Sequence, residues 1–261
     1  MRSFHMQSNH SKDRAVSMFR RKRMKRAQQA QLLRSIEKIQ SVQLISIAHD
    51  LRTHLVPIKG ALSCLQEGTL QLDNNTRHSL IKNAEEEANR LNRFIGNLLD
   101  IAQIEVGAIP IILEPTDIED VVASALELVR YSLNDRHVDV RVPPAFPPVP
   151  MDYVLIEKAL VILLENAIMY SALDMPIEVS VRKVSSCLEL AVADRGIGIP
   201  PSELPRVFDK FYRVSRPDSV HGEGLGLAIC KGFVEAHGGS IAAESRDGGG
   251  TVMRMRLLLA E

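Results

Sequence analysis

Four short stretches hold residues whose types and spacing can carry chemistry. The first is Ala48-His49-Asp50-Leu51-Arg52-Thr53, set among helix-forming residues. A neutral imidazole attacks phosphorus through a ring nitrogen, and histidine is ordinarily neutral near pH 7. Asp50 beside it can orient the ring and stabilise the charge that develops. Thr53, four residues on, lies on the same helix face, where its hydroxyl can place a water. The second is Asp194-Arg195-Gly196-Ile197-Gly198-Ile199, directly after a strand-like run. A carboxylate at a strand end can accept a hydrogen bond from an exocyclic amine such as that of adenine, and Gly196 and Gly198 allow close backbone approach. The third is Gly222-Glu223-Gly224-Leu225-Gly226-Leu227, which opens a helix; amides at a helix N-terminus bind phosphate. The fourth is Glu165-Asn166-Ala167, late in an apolar helix, where the Asn166 amide offers an oxygen to a hard cation such as Mg²⁺. Each stretch has a plainer reading: a solvated helical histidine, two glycine-rich turns and a buried amide bonded to backbone.

The elements that must hold these residues fall into two groups. Helix formers dominate from about residue 26 to 67, and Gly68-Thr69 with Leu72-Asp73-Asn74-Asn75 marks a break and a new start. A second helix is expected from Thr76 to Glu105. Its apolar residues Leu80, Ala84, Leu91, Phe94, Leu98 and Ile101 follow a heptad stripe, widened on one side by Ile81, Ala88, Ile95 and Ala102. Two such helices form a hairpin with an open apolar face, which pairing with a second copy into a four-helix bundle would bury. Residues 107–115 read as a linker or a short strand flanked by prolines, and 143–150 as a Pro-rich loop. Helices are expected over 117–129, 152–169 and 225–236, with strands over 138–142, 177–184, 187–192, 240–243 and 251–258. Strands and helices mixed without a βαβ repeat indicate an α+β layer.

The charge balance is zero overall but uneven. Residues 1–40 hold eleven Lys or Arg against two acidic residues, leaving 21 basic and 30 acidic in the rest. The basic run reads as a solvated or juxtamembrane segment. No DNA-binding motif accompanies it, tryptophan is absent and aromatics are only 4%, so nucleic acid is not expected as a partner. Cys64, Cys187 and Cys230 are far apart, which suits neither a disulfide framework nor a zinc site and fits a cytoplasmic setting. The apolar runs Leu160–Leu164 and Leu257–Ala260 are too short to span a bilayer.

Taken in order, these stretches resemble the sensor histidine kinases of two-component systems. His49-Asp50-Leu51-Arg52-Thr53 resembles the family's H box, and Asn166-Ala167 with Tyr170-Ser171 its N box. Asp194-x-Gly196-x-Gly198 resembles the G1 box, and Val207-Phe208-Asp209-Lys210-Phe211-Tyr212 the F box. Gly222-x-Gly224-Leu225-Gly226-Leu227 resembles the G2 box, and Gly248-Gly249-Gly250-Thr251 the last glycine motif. The wording around Asp194 and Phe208 is similar to that of potassium-responsive sensor kinases. The resemblance spans residues 35–258. It implies an α+β chain in which a dimeric helical hairpin, a four-helix bundle in the homodimer, is followed by an α/β sandwich of the Bergerat type that binds ATP. The division it suggests is a basic lead-in over 1–27, a dimerisation and histidine-phosphotransfer hairpin over 28–109 and a catalytic ATP-binding domain over 110–261.

The resemblance also implies roles. His49 becomes the nucleophile, Asp50 its base or orienter, and Thr53 the support of a reverse, phosphatase activity. Asp194 binds adenine and Asn166 holds Mg²⁺. Tyr170, Gly196, Gly198, Phe211, Gly222, Gly224, Leu225, Gly226 and Thr251 complete the ATP site, with residues 212–223 as a lid. The implied partner is the receiver domain of a response regulator. The implied setting is the cytosolic portion of an inner-membrane sensor whose membrane-bound region is not in this chain. Three positions depart from the pattern. His54 stands where proline is usual; the nearest proline is Pro57, so a helix bend is expected nearly one turn later, near Thr53. Ile162 stands where asparagine is common, and Met169 where Lys or Arg is common. They leave open an alternative in which the chain is a catalytically impaired module that dimerises with or regulates another kinase.

Overall fold

The computed structural model describes residues 47–66, 73–214 and 223–259. The expected lead-in, the helix before residue 47, the turn at 68–72 and most of the lid, Gly222 included, lie outside the described residues. The chain divides into two compact units between Leu91 and Asn92.

In the first unit, helix α1 covers residues 47–66 and runs without interruption through Pro57, which has no amide to bond the Thr53 carbonyl. Helix α2, Asn74–Val106, begins beyond Asp73. The Asp73 carboxylate accepts from the Thr76 amide (2.7 Å), and this bond holds its carboxyl below the usual aspartate range. The expected stripe along α2 is its least exposed line, with Phe94 and Ile101 buried, while Ile81 and Ile95 beside it stay exposed.

The second unit takes in the last turns of α2. Asp100 pairs with Lys158 and Glu105 with Lys210, and the Ile104 side chain lies against Gly232. A five-stranded sheet forms the base, in the order β2 (Val138–Arg141), β4 (Ile177–Val184), β5 (Cys187–Ala193), β7 (Thr251–Leu258), β6 (Ser240–Ser245). The β2–β4 pair is parallel and the others are antiparallel. Alternate residues Ile177, Val179 and Val181, then Leu188, Leu190 and Val192, then Met253, Met255 and Leu257 are buried. Period-two burial is what a sheet with one covered face requires. The cover is α3 (Ile118–Leu133), α4 (Tyr153–Tyr170) and α5 (Gly226–Ala236), with α4 between the other two. Asp117 caps α3 through the Glu119 amide (2.9 Å), and Asp152 caps α4 through the Leu155 amide (3.1 Å).

On the other face, Glu189 is 1% exposed, yet three arginines reach it. Arg182 Nε donates to Oε1 (2.7 Å), Arg256 Nε to Oε2 (2.8 Å) and Arg254 Nη1 to Oε1 (3.2 Å). The register explains the cluster, since Arg182 and Arg256 stand opposite Glu189 on the two flanking strands.

One expectation needs correction. The Pro-rich loop ends in a strand, β3 (Val149–Met151), which pairs antiparallel with β1 (Glu114–Thr116). Pro115 is inside β1 and faces Pro150. Two opposed prolines are tolerated where neither position owes the ladder a donor. The pair fastens the chain beside α4, where Asp152 is a junction. Its Oδ2 accepts the Ile112 amide (3.0 Å), and its own amide donates to His237 Nε2 (3.0 Å). The other ring nitrogen, Nδ1, bonds the Phe233 carbonyl (2.7 Å), so the His237 ring ties the end of α5 to the start of α4.

Candidate active site

On the first unit, the His49 side chain is exposed on α1 and Asp50 is half-buried beside it. The Thr53 hydroxyl donates to the His49 carbonyl (3.0 Å), one turn back. His54 turns to α2 instead: its Nδ1 lies 2.9 Å from Glu87 Oε2, and both side chains are 19% exposed. Arg90 holds the other oxygen of Glu87 at 2.8 Å. Of the two neighbouring histidines, His49 is therefore the one displayed to solvent.

On the second unit, β5 ends at Ala193 and delivers Asp194 to the edge of the helical layer. Asp194 is 7% exposed. Its Oδ1 accepts from the amides of Gly196 (2.7 Å) and Thr251 (3.2 Å), and its own amide donates to the Thr251 carbonyl (2.9 Å). Among the described residues no donor reaches Oδ2, which is left for a ligand. Burial pushes the Asp194 carboxyl up, opposed by these two amides and by the charges of Arg246 and Arg136.

Gly196 passes so close to the end of α4 that a β-carbon there would stand 2.1 Å from the Tyr170 carbonyl oxygen. That carbonyl accepts the Ile197 amide (3.2 Å), so the loop after Asp194 is pinned to the C-terminal turn of α4. The structure thus brings Asp194, Gly196, Tyr170 and Thr251 together, with Gly198 against Gly250.

One turn earlier, Asn166 Nδ2 donates to the Ile162 carbonyl (2.7 Å), which leaves its amide oxygen for a cation. Ile162 has a packing role of its own, because its Cγ2 would be 3.1 Å from a β-carbon at Gly226. This fits α5 against α4 at the glycine-rich start of α5. Leu225, the buried N-cap, supplies no side-chain bond to the helix amides. Those amides suit an anion.

Phe211 and Gly224, on either side of the expected lid, meet through the Phe211 amide and the Gly224 carbonyl (2.8 Å). Gly224 has φ +69° and a β-carbon there would meet the Phe211 carbonyl carbon at 2.8 Å, so glycine is required. Glu223 accepts from Asn97 Nδ2 at 3.1 Å.

Two residues of this site carry no signal that sequence reasoning could use. Arg136 sits in a polar turn and resembles any solvated loop charge, yet it is 8% exposed. Arg246 follows β6 in a turn and donates to the Asp194 carbonyl (3.2 Å) and to Glu178.

Comparison with known proteins accords with this geometry. Residues 39–107 match the family model described as the His Kinase A (phospho-acceptor) domain. Residues 151–261 match that described as histidine kinase-, DNA gyrase B-, and HSP90-like ATPase. The sensor protein KdpD of Clostridium acetobutylicum is 36% identical over 218 residues, 82% of this chain and 24% of that protein. This chain therefore spans about a quarter of the length of that curated relative. A solved structure of the mycobacterial sensor histidine kinase MprB is 32% identical with a TM-score of 0.51, over 57% of this chain and 98% of that one. The Acinetobacter baumannii histidine kinase AdeS shares the fold, with a TM-score of 0.65 at 24% identity over 82% of this chain and 98% of that one.

Proposed function

The chain belongs to the sensor histidine kinases, and from that premise we propose that it moves the γ-phosphoryl group of ATP onto His49 and then onto an aspartate of a response regulator. The observation that carries the reading is the Asp194 carboxylate, one oxygen held by two backbone amides and the other reached by no donor among the described residues. On this reading residues 28–109 act as the phosphotransfer hairpin and 110–261 as the ATP-binding domain, with 1–27 as a basic lead-in.

Asp194 Oδ2 would accept the adenine amine, framed by Gly196, Gly198, Tyr170 and Thr251. The amides of Gly222, Gly224, Leu225 and Gly226 would receive the phosphates, with Phe211 closing the base of the lid. Asn166 would hold Mg²⁺ through its amide oxygen, and a bound Mg²⁺ would neutralise charge on the triphosphate. A His49 ring nitrogen attacks the γ-phosphorus, the P–N bond forms as the P–O bond to ADP breaks, and Asp50 takes the proton from the other ring nitrogen. In the second transfer a carboxylate oxygen of the receiver domain displaces His49 and forms an acyl phosphate. Thr53 would place the water that hydrolyses that acyl phosphate in the reverse activity.

A homodimer through the hairpin is supported by the exposed Leu55, Val56, Leu62 and Ile81. Among the described residues no helix is long and apolar enough to cross a membrane. We assign the chain to the cytosolic side of a membrane sensor, in accord with the free thiols of Cys64, Cys187 and Cys230.

The test is incubation with radiolabelled ATP and Mg²⁺, comparing wild type with His49→Ala and His54→Ala. Acid-labile, alkali-stable label is expected on wild type and His54→Ala and absent from His49→Ala. A folded wild-type dimer that binds nucleotide and takes no label would overturn the reading.

A further inference from the structure

Arg136 is a buried cation that the mechanism above does not use. No carboxylate touches it among the described residues. Its Nη1 donates to Ser171 Oγ (2.7 Å) and, at longer range, to the Ala167 carbonyl (3.5 Å), while Nη2 donates to the Ser171 carbonyl (2.9 Å). Its Nε is buried without an acceptor. A buried charge placed like this is costly unless something of opposite sign offsets it. Two things do. The first is the C-terminal end of α4, whose carbonyls carry the negative pole of the helix and whose last turn has no basic residue of its own. The second is Asp194, on which the Arg136 charge acts.

The two are joined through the backbone. Arg136 grips Ala167 and Ser171, and the loop after Asp194 is pinned to the Tyr170 carbonyl between them. The guanidinium therefore holds the turn on which the Asp194 loop rests.

We propose that Arg136 is a positioning residue for adenine recognition: it clamps the end of α4 beneath the Asp194 loop and directs its positive charge toward the Asp194 carboxylate. The inference rests on the assignment of Asp194 to adenine. The charged groups acting on Asp194 are Arg246, from the turn between β6 and β7, and Arg136, from the loop before β2. From β7 and the end of α4 it meets the Thr251 amide and, through Gly196, the Tyr170 carbonyl.

In the ionised carboxylate Oδ1 accepts the two backbone amides while Oδ2 stays an acceptor for the adenine amine, and a proton on Oδ2 would turn it into a donor. Burial has already moved its titration above the ordinary aspartate range. Nucleotide affinity must then fall as pH drops through that titration, and removing the Arg136 charge must move the fall to higher pH.

The experiment is calorimetric titration of the whole chain with ADP between about pH 5 and pH 8, using wild type, R136K, R136Q, R136M and D194N. Circular dichroism melts check folding, and the two uncharged replacements cover each other should one fail to fold. At the acid end of the range, R136Q and R136M should bind about fivefold more weakly than wild type beyond any loss seen at pH 8. R136K, which keeps the charge, should follow the wild-type pH profile. Equal weakening by R136K, R136Q and R136M at every pH, with the acid fall unmoved, would reduce Arg136 to a structural prop and overturn the proposal. Wild type that fails to bind ADP, or D194N that binds as well as wild type, would instead remove the assignment of Asp194, and the inference with it.

Discussion

His54 Nδ1 on α1 and Glu87 Oε2 on α2 are 2.9 Å apart, a half-buried bond between the two helices of the hairpin just past His49. Glu87→Gln keeps the shape and removes the charge. It should cost about 1 kcal/mol of hairpin stability, and His54→Gln with Glu87→Gln together should cost less than the sum of the two. Thermal melts of the four proteins measure that coupling. Additive losses would show that the contact contributes nothing.

Glu189 is the buried acid that the fold needs. Burial pushes its carboxyl up, but bonds from Arg256 and Arg182 and the charge of Arg254 outweigh this and leave it below the ordinary glutamate value. A lowered value in the folded state contributes stability above the ordinary glutamate value and loses it as pH falls through the folded one. Glu189→Ala should therefore destabilise the ATP-binding domain by about 3 kcal/mol at neutral pH. The difference from wild type should shrink in acid, as denaturant melts across pH will show.

Asp194 has the opposite sign. Burial, its largest influence, leaves its carboxyl above the ordinary aspartate value despite the Gly196 and Thr251 amides. A raised value contributes stability only below the ordinary value, lost as pH rises through the folded one, so the ionised group is a burden at neutral pH. Asp194→Asn retains an oxygen for both amides and should raise the melting temperature at pH 7.5. The same change should weaken nucleotide binding about 10- to 100-fold. A variant that melts lower than wild type would contradict the first half of this expectation.

Gly224 offers a test of the lid base. With φ +69° and the Phe211 backbone 2.8 Å from any β-carbon, Gly224→Ala has no flexible neighbour to displace. It should cost more than about 1 kcal/mol and loosen the Phe211–Gly224 bond. Nucleotide affinity should fall with it, while circular dichroism stays that of a folded domain. Wild-type affinity in this variant would show that the bond does not shape the site.

What could be read from the chain depended on how local its cause was. Strands β4 and β7 appear at their expected bounds because alternate apolar residues are a period-two signal. Asp117 and Asp152 mark their helices because a cap acts on its own first turn. The β1–β3 pair was hidden by Pro115 and Pro150, which argue against strands unless the opposite residue is also known. The Asp194 motif was legible, but the arginines around it were not. Arg136 is separated from Ser171 by 35 residues and Arg246 from Asp194 by 52, and no local pattern encodes such distant contacts. The departure at Ile162 became interpretable only when its methyl group was found facing Gly226.

The pairing of β5 with β7 has a bearing on how the protein is made. Ala193 stands opposite Val252, and the Thr251 amide is one of the two that hold the Asp194 carboxylate. Asp194 leaves the ribosome long before that partner does. Until β7 has been synthesised, β6 lacks the neighbour that joins it to the sheet and the nascent chain has an unfinished nucleotide pocket. A nucleotide that needs both Asp194 and the Thr251 amide can therefore stabilise the domain only once β7 has joined the sheet, and gives no help to the partly synthesised chain that precedes it.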